Sequence, residues 1–106
     1  MASPTAPTSP WTFYDSGNDY LNRKITATVT FDGSNNLTGA TVVRDAGCVY
    51  AKVIIGALTA AGTPSASAKV LNVPAGTTNF NVSQLAAVGL TTVDDIRNVP
   101  QITASP

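Results

Sequence analysis

The alternation of apolar and hydroxyl side chains over residues 25–31 constrains the fold of this chain more than any other feature. Positions 25, 27, 29 and 31 are apolar, and the three positions between them are threonines. Because successive side chains of a strand point to opposite faces, the pattern predicts a strand with an apolar inner face and a hydroxyl outer face. The pattern resumes over residues 37–44 after the turn-forming residues 32–36, which predicts an antiparallel hairpin with a five-residue connection.

Further short strands are predicted along the chain, separated by turns rich in Gly, Pro, Asp and Ser. They cover residues 11–14, 49–58, 66–73 and 77–82. Tyr50 and Ile54 lie on the nominal outer face of the 49–58 strand, so we expect this strand to be covered on both sides. In the 77–82 strand the alternation directs Phe80 and Val82 inward.

Helix signals appear only near the C-terminus. Residues 83–89 predict one short helix, with Ser83 as its N-cap and Gly89 at its end. Thr92 and Asp95 have the spacing of a capping box, with Asp in place of the usual Glu or Gln, which predicts one further helical turn. The fold class is therefore mainly β: a small antiparallel β-sandwich or barrel with one short C-terminal helix and an extended N-terminal arm.

The length of 106 residues fits a single domain with one modest core. We expect three parts: an extended arm, a β domain and a polar tail, at residues 1–10, 11–103 and 104–106. Pro4, Pro7 and Pro10 recur every three residues, the period of polyproline II, which makes no internal hydrogen bonds. The arm has neither the apolar nor the basic region of a signal peptide, so no export signal is expected within it.

The composition argues against catalysis. The chain has no His, no Glu and one Cys, and its six Lys and Arg balance six Asp. Since His, Glu and Cys perform most acid–base and nucleophilic chemistry near neutral pH, we predict that the protein is not an enzyme and uses no cofactor. The balanced charge predicts neither a nucleic-acid nor a membrane partner.

A few residues remain candidates for chemistry. The segment 15–19 superficially suggests a calcium loop but lacks the ligand order of an EF-hand, and a solvated turn explains it better. Asp94 and Asp95 are adjacent, so their side chains diverge, and the dipole at a helix start explains them. Cys48 is expected to be a buried small hydrophobe; the alternative is a reactive thiol with a pKa lowered by nearby Arg44.

The densest aromatic cluster follows the arm directly. Trp11 and Phe13 face one way in a short strand, and Tyr14 follows them. We favour the interpretation that these rings close one end of the core. The functional alternative is an anchor patch for a neighbouring subunit. Its candidate interface residues are Pro4, Pro7, Pro10, Trp11, Phe13 and Tyr14.

In length, in its low charge and in the extended segment 1–14, the chain resembles small virion proteins of tailed bacteriophages, in particular head-decoration or cement proteins. The resemblance rests on no specific motif and transfers no functional residue. It implies a structural subunit of the virion whose extended arm clamps a capsid lattice, with capsid subunits and copies of itself as partners. Strand addition by the arm and burial of Trp11 and Phe13 would provide the contact.

Two other functions stay open. One is an extracellular immunoglobulin-like module that recognises a glycan or a protein through Tyr14, Tyr20 or Tyr50. The other is a phage tail or head–tail connector subunit, which would share the same composition. The first would be a monomer with a soluble ligand, whereas an assembly subunit would be found in a particle far heavier than one chain.

Overall fold

The computed structural model describes residues 8–13, 20–99 and 101–106. They form two antiparallel sheets that pack around one core, which confirms the predicted mainly β fold. The strands are β1 (Trp11–Phe13), β2 (Ile25–Phe31), β3 (Leu37–Arg44), β4 (Lys52–Ile55), β5 (Lys69–Asn72), β6 (Gly76–Phe80) and β7 (Ile102–Ser105). Two short helices, α1 (Val82–Ala87) and α2 (Asp94–Arg97), lie between β6 and β7 in the chain.

The larger sheet has the strand order β1-β2-β3-β6, and the smaller has the order β5-β4-β7. The first three of the described strands are thus sequential neighbours in one sheet. An immunoglobulin constant-type sandwich instead sends its third strand to the opposite sheet. The described strands therefore lack the immunoglobulin order that one of the alternative functions assumes.

The β2–β3 hairpin has the predicted bounds and connection. Its register runs from Ile25 opposite Arg44 to Phe31 opposite Leu37, with a bulge at the Thr30/Phe31 step. In the connecting turn the Oδ1 atom of Asp32 accepts hydrogen bonds from two backbone N–H groups, those of Ser34 at 2.9 Å and Asn36 at 3.0 Å. These bonds fix the turn and, with it, which side chains of both strands face the core.

The core lies between the two sheets and is closed by residues of the helical region. Both rings of β1 are buried in it, with Trp11 and Phe13 centroids 5.4 Å apart. The fully buried side chains come from both sheets and from the helical region; the largest are Ile25, Ile54, Ile55, Leu85, Ile96 and Ile102.

Strand β4 is covered on both faces, as predicted. Val53, Ile54 and Ile55 are consecutive and all are at most 1% exposed, although alternate side chains of a strand face opposite ways. The strand is shorter than the predicted 49–58: it covers Lys52–Ile55 and is followed by Gly56, whose φ of 124° is not that of a strand. In the same way β5 occupies only the later part of the predicted segment 66–73.

Helix α1 begins earlier than predicted. Asn81, not Ser83, is the N-cap: its side chain accepts from the N–H of Gln84, and the Gln84 side chain accepts from the N–H of Asn81. This capping box ends β6 at Phe80, so Val82 starts the helix and is 54% exposed rather than turned inward. The predicted end at Gly89 is confirmed by its positive φ of 87°.

The C-terminal residues differ most from the prediction. Residues 102–105 form strand β7, which pairs with β4 from Ile55 opposite Ile102 to Lys52 opposite Ser105. Most of the expected tail at 104–106 is therefore part of the smaller sheet. This short stretch is polar apart from Ile102 and Ala104, and its composition therefore predicted a tail. The hydrogen bonds to β4 and the burial of Ile102 stabilise it as a strand. Helix α2 confirms the further helical turn predicted from the spacing of Thr92 and Asp95, although the predicted fold class named only one helix.

Candidate functional site

The outer face of the larger sheet is the most distinctive surface of the described structure. Its side chains alternate with those on the core side of β1, β2, β3 and β6. We call it the threonine face; it comprises Thr12, Thr26, Thr28, Thr30, Thr38, Thr41, Val43, Thr77 and Asn79. All of these residues are exposed or half-buried, and none is ionisable. A folded surface spanning four strands without a charge is unusual for a domain of this size.

Hydrogen bonds between side chains join neighbouring strands across this face. The hydroxyls of Thr12 on β1 and Thr28 on β2 are 3.0 Å apart. Further along, the Thr41 hydroxyl on β3 donates to the Asn79 side-chain oxygen on β6 at 2.8 Å. Because these groups bond to one another, the face is held in one arrangement before any partner arrives.

A shallow groove of about 220 Å³ crosses the face where β2, β3 and β6 meet. Gly39 lies in it, and Thr30, Thr41 and Asn79 are among the residues that line it. A β-carbon at Gly39 would come to 3.4 Å from the Phe80 carbonyl oxygen and 3.7 Å from the Thr30 hydroxyl. The groove lies beside position 39, which has no side chain, and its lining is mainly apolar, with hydroxyls and an amide but no charge.

The predicted interface residues separate into three groups. Trp11 is 9% exposed and Phe13 is 5% exposed, so both rings belong to the core, as the favoured interpretation predicted, and little of either reaches the surface. Pro10 is exposed. The remaining three candidates, Pro4, Pro7 and Tyr14, lie outside the described residues.

The segment before β1 and the other tyrosines add two observations. The Ser9 hydroxyl accepts a hydrogen bond from the N–H of Phe31 at 3.2 Å, so the approach to β1 is joined to the end of β2. Tyr20 is 79% exposed, whereas Tyr50 packs against the core. Of the aromatic residues named for a ligand-binding module, Tyr20 therefore offers its ring to solvent and Tyr50 offers little.

Cys48 is buried, as expected, with 1% of its surface exposed. Its thiol donates to the Arg23 carbonyl oxygen at 3.8 Å. Arg44 contacts the Cys48 carbonyl oxygen through both Nε and Nη2. The guanidinium thus binds the backbone of Cys48, which gives no support to the alternative of an Arg44-activated thiol.

The two adjacent aspartates have separate structural roles. Asp94 forms an ion pair with Arg97, one helical turn away. One carboxylate oxygen of Asp95, Oδ2, accepts from the N–H groups of Thr91 and Thr92 and from the Thr91 hydroxyl, all at 2.8–2.9 Å. Partial burial raises the pKa of Asp95, but these hydrogen bonds, with help from Lys69, lower it below its ordinary value of 3.8.

The candidate calcium segment 15–19 lies outside the described residues. Within residues 8–13, 20–99 and 101–106, no three His, Cys, Asp or Glu side chains group as metal ligands would. In the same part of the chain, no helix has the length and apolarity needed to cross a bilayer.

The sequence showed the outer threonines of β2 but not the surface they form. Which side chains of β3 and β6 join Thr28 and Thr30 depends on strand register, and β6 is not adjacent to β3 in the chain. The Thr41–Asn79 bond and the groove at Gly39 were therefore missed. The sequence feature that could have indicated this surface is the absence of charge: no Asp, Lys or Arg occupies an outer position of any of these strands.

Comparison of the chain with protein-family models, with curated proteins and with solved structures gives no match.

Proposed function

We propose that the protein is a non-enzymatic assembly subunit that binds a protein lattice, namely the capsid of a tailed bacteriophage, as a decoration or cement protein. The observation that carries the proposal is the threonine face, which has no ionisable side chain across four strands. The proposal of a bacteriophage capsid rests in addition on the resemblance to small virion proteins in length, composition and the predicted extended arm.

An uncharged hydroxyl surface suits permanent contact with another protein. Burying a charge requires that a partner compensate its lost hydration, whereas hydroxyls and amides need only hydrogen bonds. On this face Thr41 already donates to Asn79, so part of the hydrogen-bonding demand is met within the subunit. The charged side chains of the described residues lie outside the face, in loops, at strand ends, on the helices and on the smaller sheet.

The arm supplies the second contact in this proposal. Residues 1–10 lead directly into β1, and Ser9 joins the end of the arm to Phe31. The proline spacing of residues 1–10 predicts an extended segment, and extended segments bind by main-chain hydrogen bonds and by fitting side chains into grooves. Because a lattice presents many identical sites, weak single contacts of the face and the arm would add up to stable attachment.

The first test measures the mass of the particle in which the chain naturally occurs. The tagged chain, expressed in the cell that naturally produces it, is separated on a density gradient, and the fractions are viewed by electron microscopy. We expect the chain to sediment with particles that carry it at regular lattice positions. A chain found only at its own mass of 10.8 kDa, with no particle, would contradict the proposal.

Variants then locate the contact. Thr30→Lys places a charge in the middle of the threonine face, and we expect it to lower particle occupancy at least tenfold. Ala61→Lys, at an exposed position in the connection between β4 and β5, is the matched control and should leave occupancy unchanged. Deletion of residues 1–10 should leave the fold intact but abolish attachment. Occupancy that survives both Thr30→Lys and this deletion would overturn the proposal.

A further inference from the structure

We propose that strand β6, Gly76–Phe80, is an edge at which two copies of the chain pair antiparallel about a two-fold axis, joining their larger sheets into one sheet of eight strands. The inference rests on the proposed function in one respect: it names a surface by which an assembly subunit would contact its own copy. Its physical basis is independent of any capsid.

Among the described residues, strand β6 pairs with another strand on one side only. On one side it pairs with β3, from Ala40 opposite Phe80 to Arg44 opposite Gly76. Among the described residues, no backbone hydrogen bond outside that ladder reaches residues 76–80. The side-chain bond of Asn79 goes to Thr41 on β3, and Phe80 packs against the core, so neither occupies the outer edge. The N–H and C=O groups on its outer side are therefore open to another strand.

This edge also lacks the features that keep edges apart. Proteins protect exposed edges with charged side chains, proline or very short strands. Lys69 begins β5, and β1 has only three residues and follows Pro10. Strand β6, in contrast, has five residues with neither charge nor proline. Of the two edges of the larger sheet, it is the unprotected one.

The sequence of β6 complements itself when two copies pair about Thr78. That register places Thr77 of each copy opposite Asn79 of the other, and no like charges meet. A Thr–Asn pair is already formed within the subunit, where Thr41 donates to the Asn79 side chain at 2.8 Å. The same register sets Gly76 opposite Phe80, so the ring covers a position that has no side chain of its own.

A second copy fits this edge better than the N-terminal arm does. Pro4, Pro7 and Pro10 have no N–H, so a strand made from the arm would lack a donor at every third residue. A second β6 strand has all of its donors. Because five residue pairs bury less than the roughly 1,200–2,000 Å² of a stable interface, we expect a weak dimer that a lattice strengthens by avidity.

Sedimentation equilibrium of the purified full chain, from micromolar to millimolar concentration, tests the edge. The wild-type mass is expected to rise from 10.8 kDa towards twice that value as the concentration increases. The double variant Thr77→Lys/Asn79→Lys sets lysine opposite lysine and should remain monomeric. Thr12→Lys, on the same face but at the opposite edge, is the control and should dimerise as the wild type does.

A charge exchange separates pairing from misfolding. Thr77→Asp/Asn79→Asp should also be monomeric, yet an equimolar mixture of the two double variants should dimerise, because each lysine then meets an aspartate. Failure of the mixture to associate, while circular dichroism shows both variants folded, would overturn the proposal. So would a wild type that stays monomeric at millimolar concentration.

Two further results keep this inference distinct from the proposed function. If deletion of residues 1–10 abolishes the dimer, the arm is the occupant of the edge and the two-fold pairing is wrong. If the wild type is monomeric but still sediments with particles, the edge fails and the assembly function stands. If it dimerises but no particle carries it, the edge stands and the assembly function fails.

Discussion

Arg44 holds the backbone at Cys48: the guanidinium donates to the Cys48 carbonyl oxygen from Nη2 at 2.6 Å and from Nε at 3.2 Å. Its third bond, from Nη1, reaches the Val73 carbonyl oxygen at 3.1 Å. One side chain at the end of β3 therefore ties the turn after β3 to the segment that leaves β5 for β6. This matters for the threonine face, because it anchors the connection through which β6 arrives beside β3.

Replacing Arg44 should accordingly cost stability. Arg44→Met keeps the length of the side chain but leaves two carbonyl oxygens without their charged donor, so we expect a loss of about 2 kcal/mol in the free energy of unfolding. Urea denaturation followed by tryptophan fluorescence measures it. Arg97→Met is the matched control: its ion pair with Asp94 is at the surface, and its loss should cost less than about 1 kcal/mol. Equal losses for both variants would refute this role of Arg44.

The burial of Cys48 predicts how the thiol reacts. Since only 1% of the residue is exposed, iodoacetamide should not label it in the native protein, and full labelling should appear once urea unfolds the chain. Mass spectrometry counts the added groups. Rapid labelling without denaturant would show that the thiol is accessible and would revive the reactive-thiol alternative.

Asp95 should give stability a pH dependence of known sign. Partial burial raises its pKa, but the hydrogen bonds from Thr91 and Thr92 outweigh this and lower the pKa in the folded state below 3.8. A lowered folded pKa stabilises the fold above the unfolded pKa, and the contribution is lost as the pH falls through the folded value. Asp95→Asn should therefore cost about 1–2 kcal/mol at pH 7, and the difference from wild type should shrink at pH 2–3.

Urea midpoints of both proteins across this pH range measure the effect. Asp94→Asn, which removes only the surface pair with Arg97, is the control and should cost less than about 1 kcal/mol at pH 7. Asp32 adds to the acid sensitivity of every variant, because the N–H of Asn36, with that of Ser34, lowers the pKa of its carboxyl. A constant gap between Asp95→Asn and wild type from pH 7 to pH 2 would contradict the prediction.

Local signals in the sequence predicted the parts of the fold that depend on neighbouring residues. The alternation of residues 25–31 and the turn at Asp32 gave the hairpin with its bounds, and Gly89 gave the end of α1. Burial on both faces of β4 followed from apolar residues at consecutive positions, including Ile54. In each case the physical cause lies within a few residues of its effect.

The features that were missed depend on partners far along the chain. Strand β7 consists of Ile102, Thr103, Ala104 and Ser105, which have no strong strand pattern, and it forms because β4 supplies a ladder. Both Asn81 and Ser83 could cap the start of α1. Asn81 is the N-cap because the Gln84 side chain completes its capping box. The threonine face required the register of β6 against β3, which no local pattern encodes.

The end of α1 is the place where backbone conformation can be tested most directly. The N–H of Leu90 donates to the Leu85 carbonyl oxygen, and that of Gly89 donates to the Ala86 carbonyl oxygen, which is a Schellman motif. The motif needs the positive φ of 87° at Gly89, which side chains disfavour. Gly89→Ala should therefore cost about 1–2 kcal/mol.

Gly33→Ala is the control for this effect. Gly33 has an ordinary φ, and a β-carbon there would meet nothing within 4 Å, so the free energy of unfolding should change by less than about 0.5 kcal/mol. A β-carbon at Gly89 would also lie 3.3 Å from Cε of Lys69, but that flexible side chain can move aside. The double variant Gly89→Ala/Lys69→Ala, compared with Lys69→Ala alone, separates the two causes. If the loss at position 89 is backbone strain, it will persist without the lysine, and if it is a clash, it will disappear.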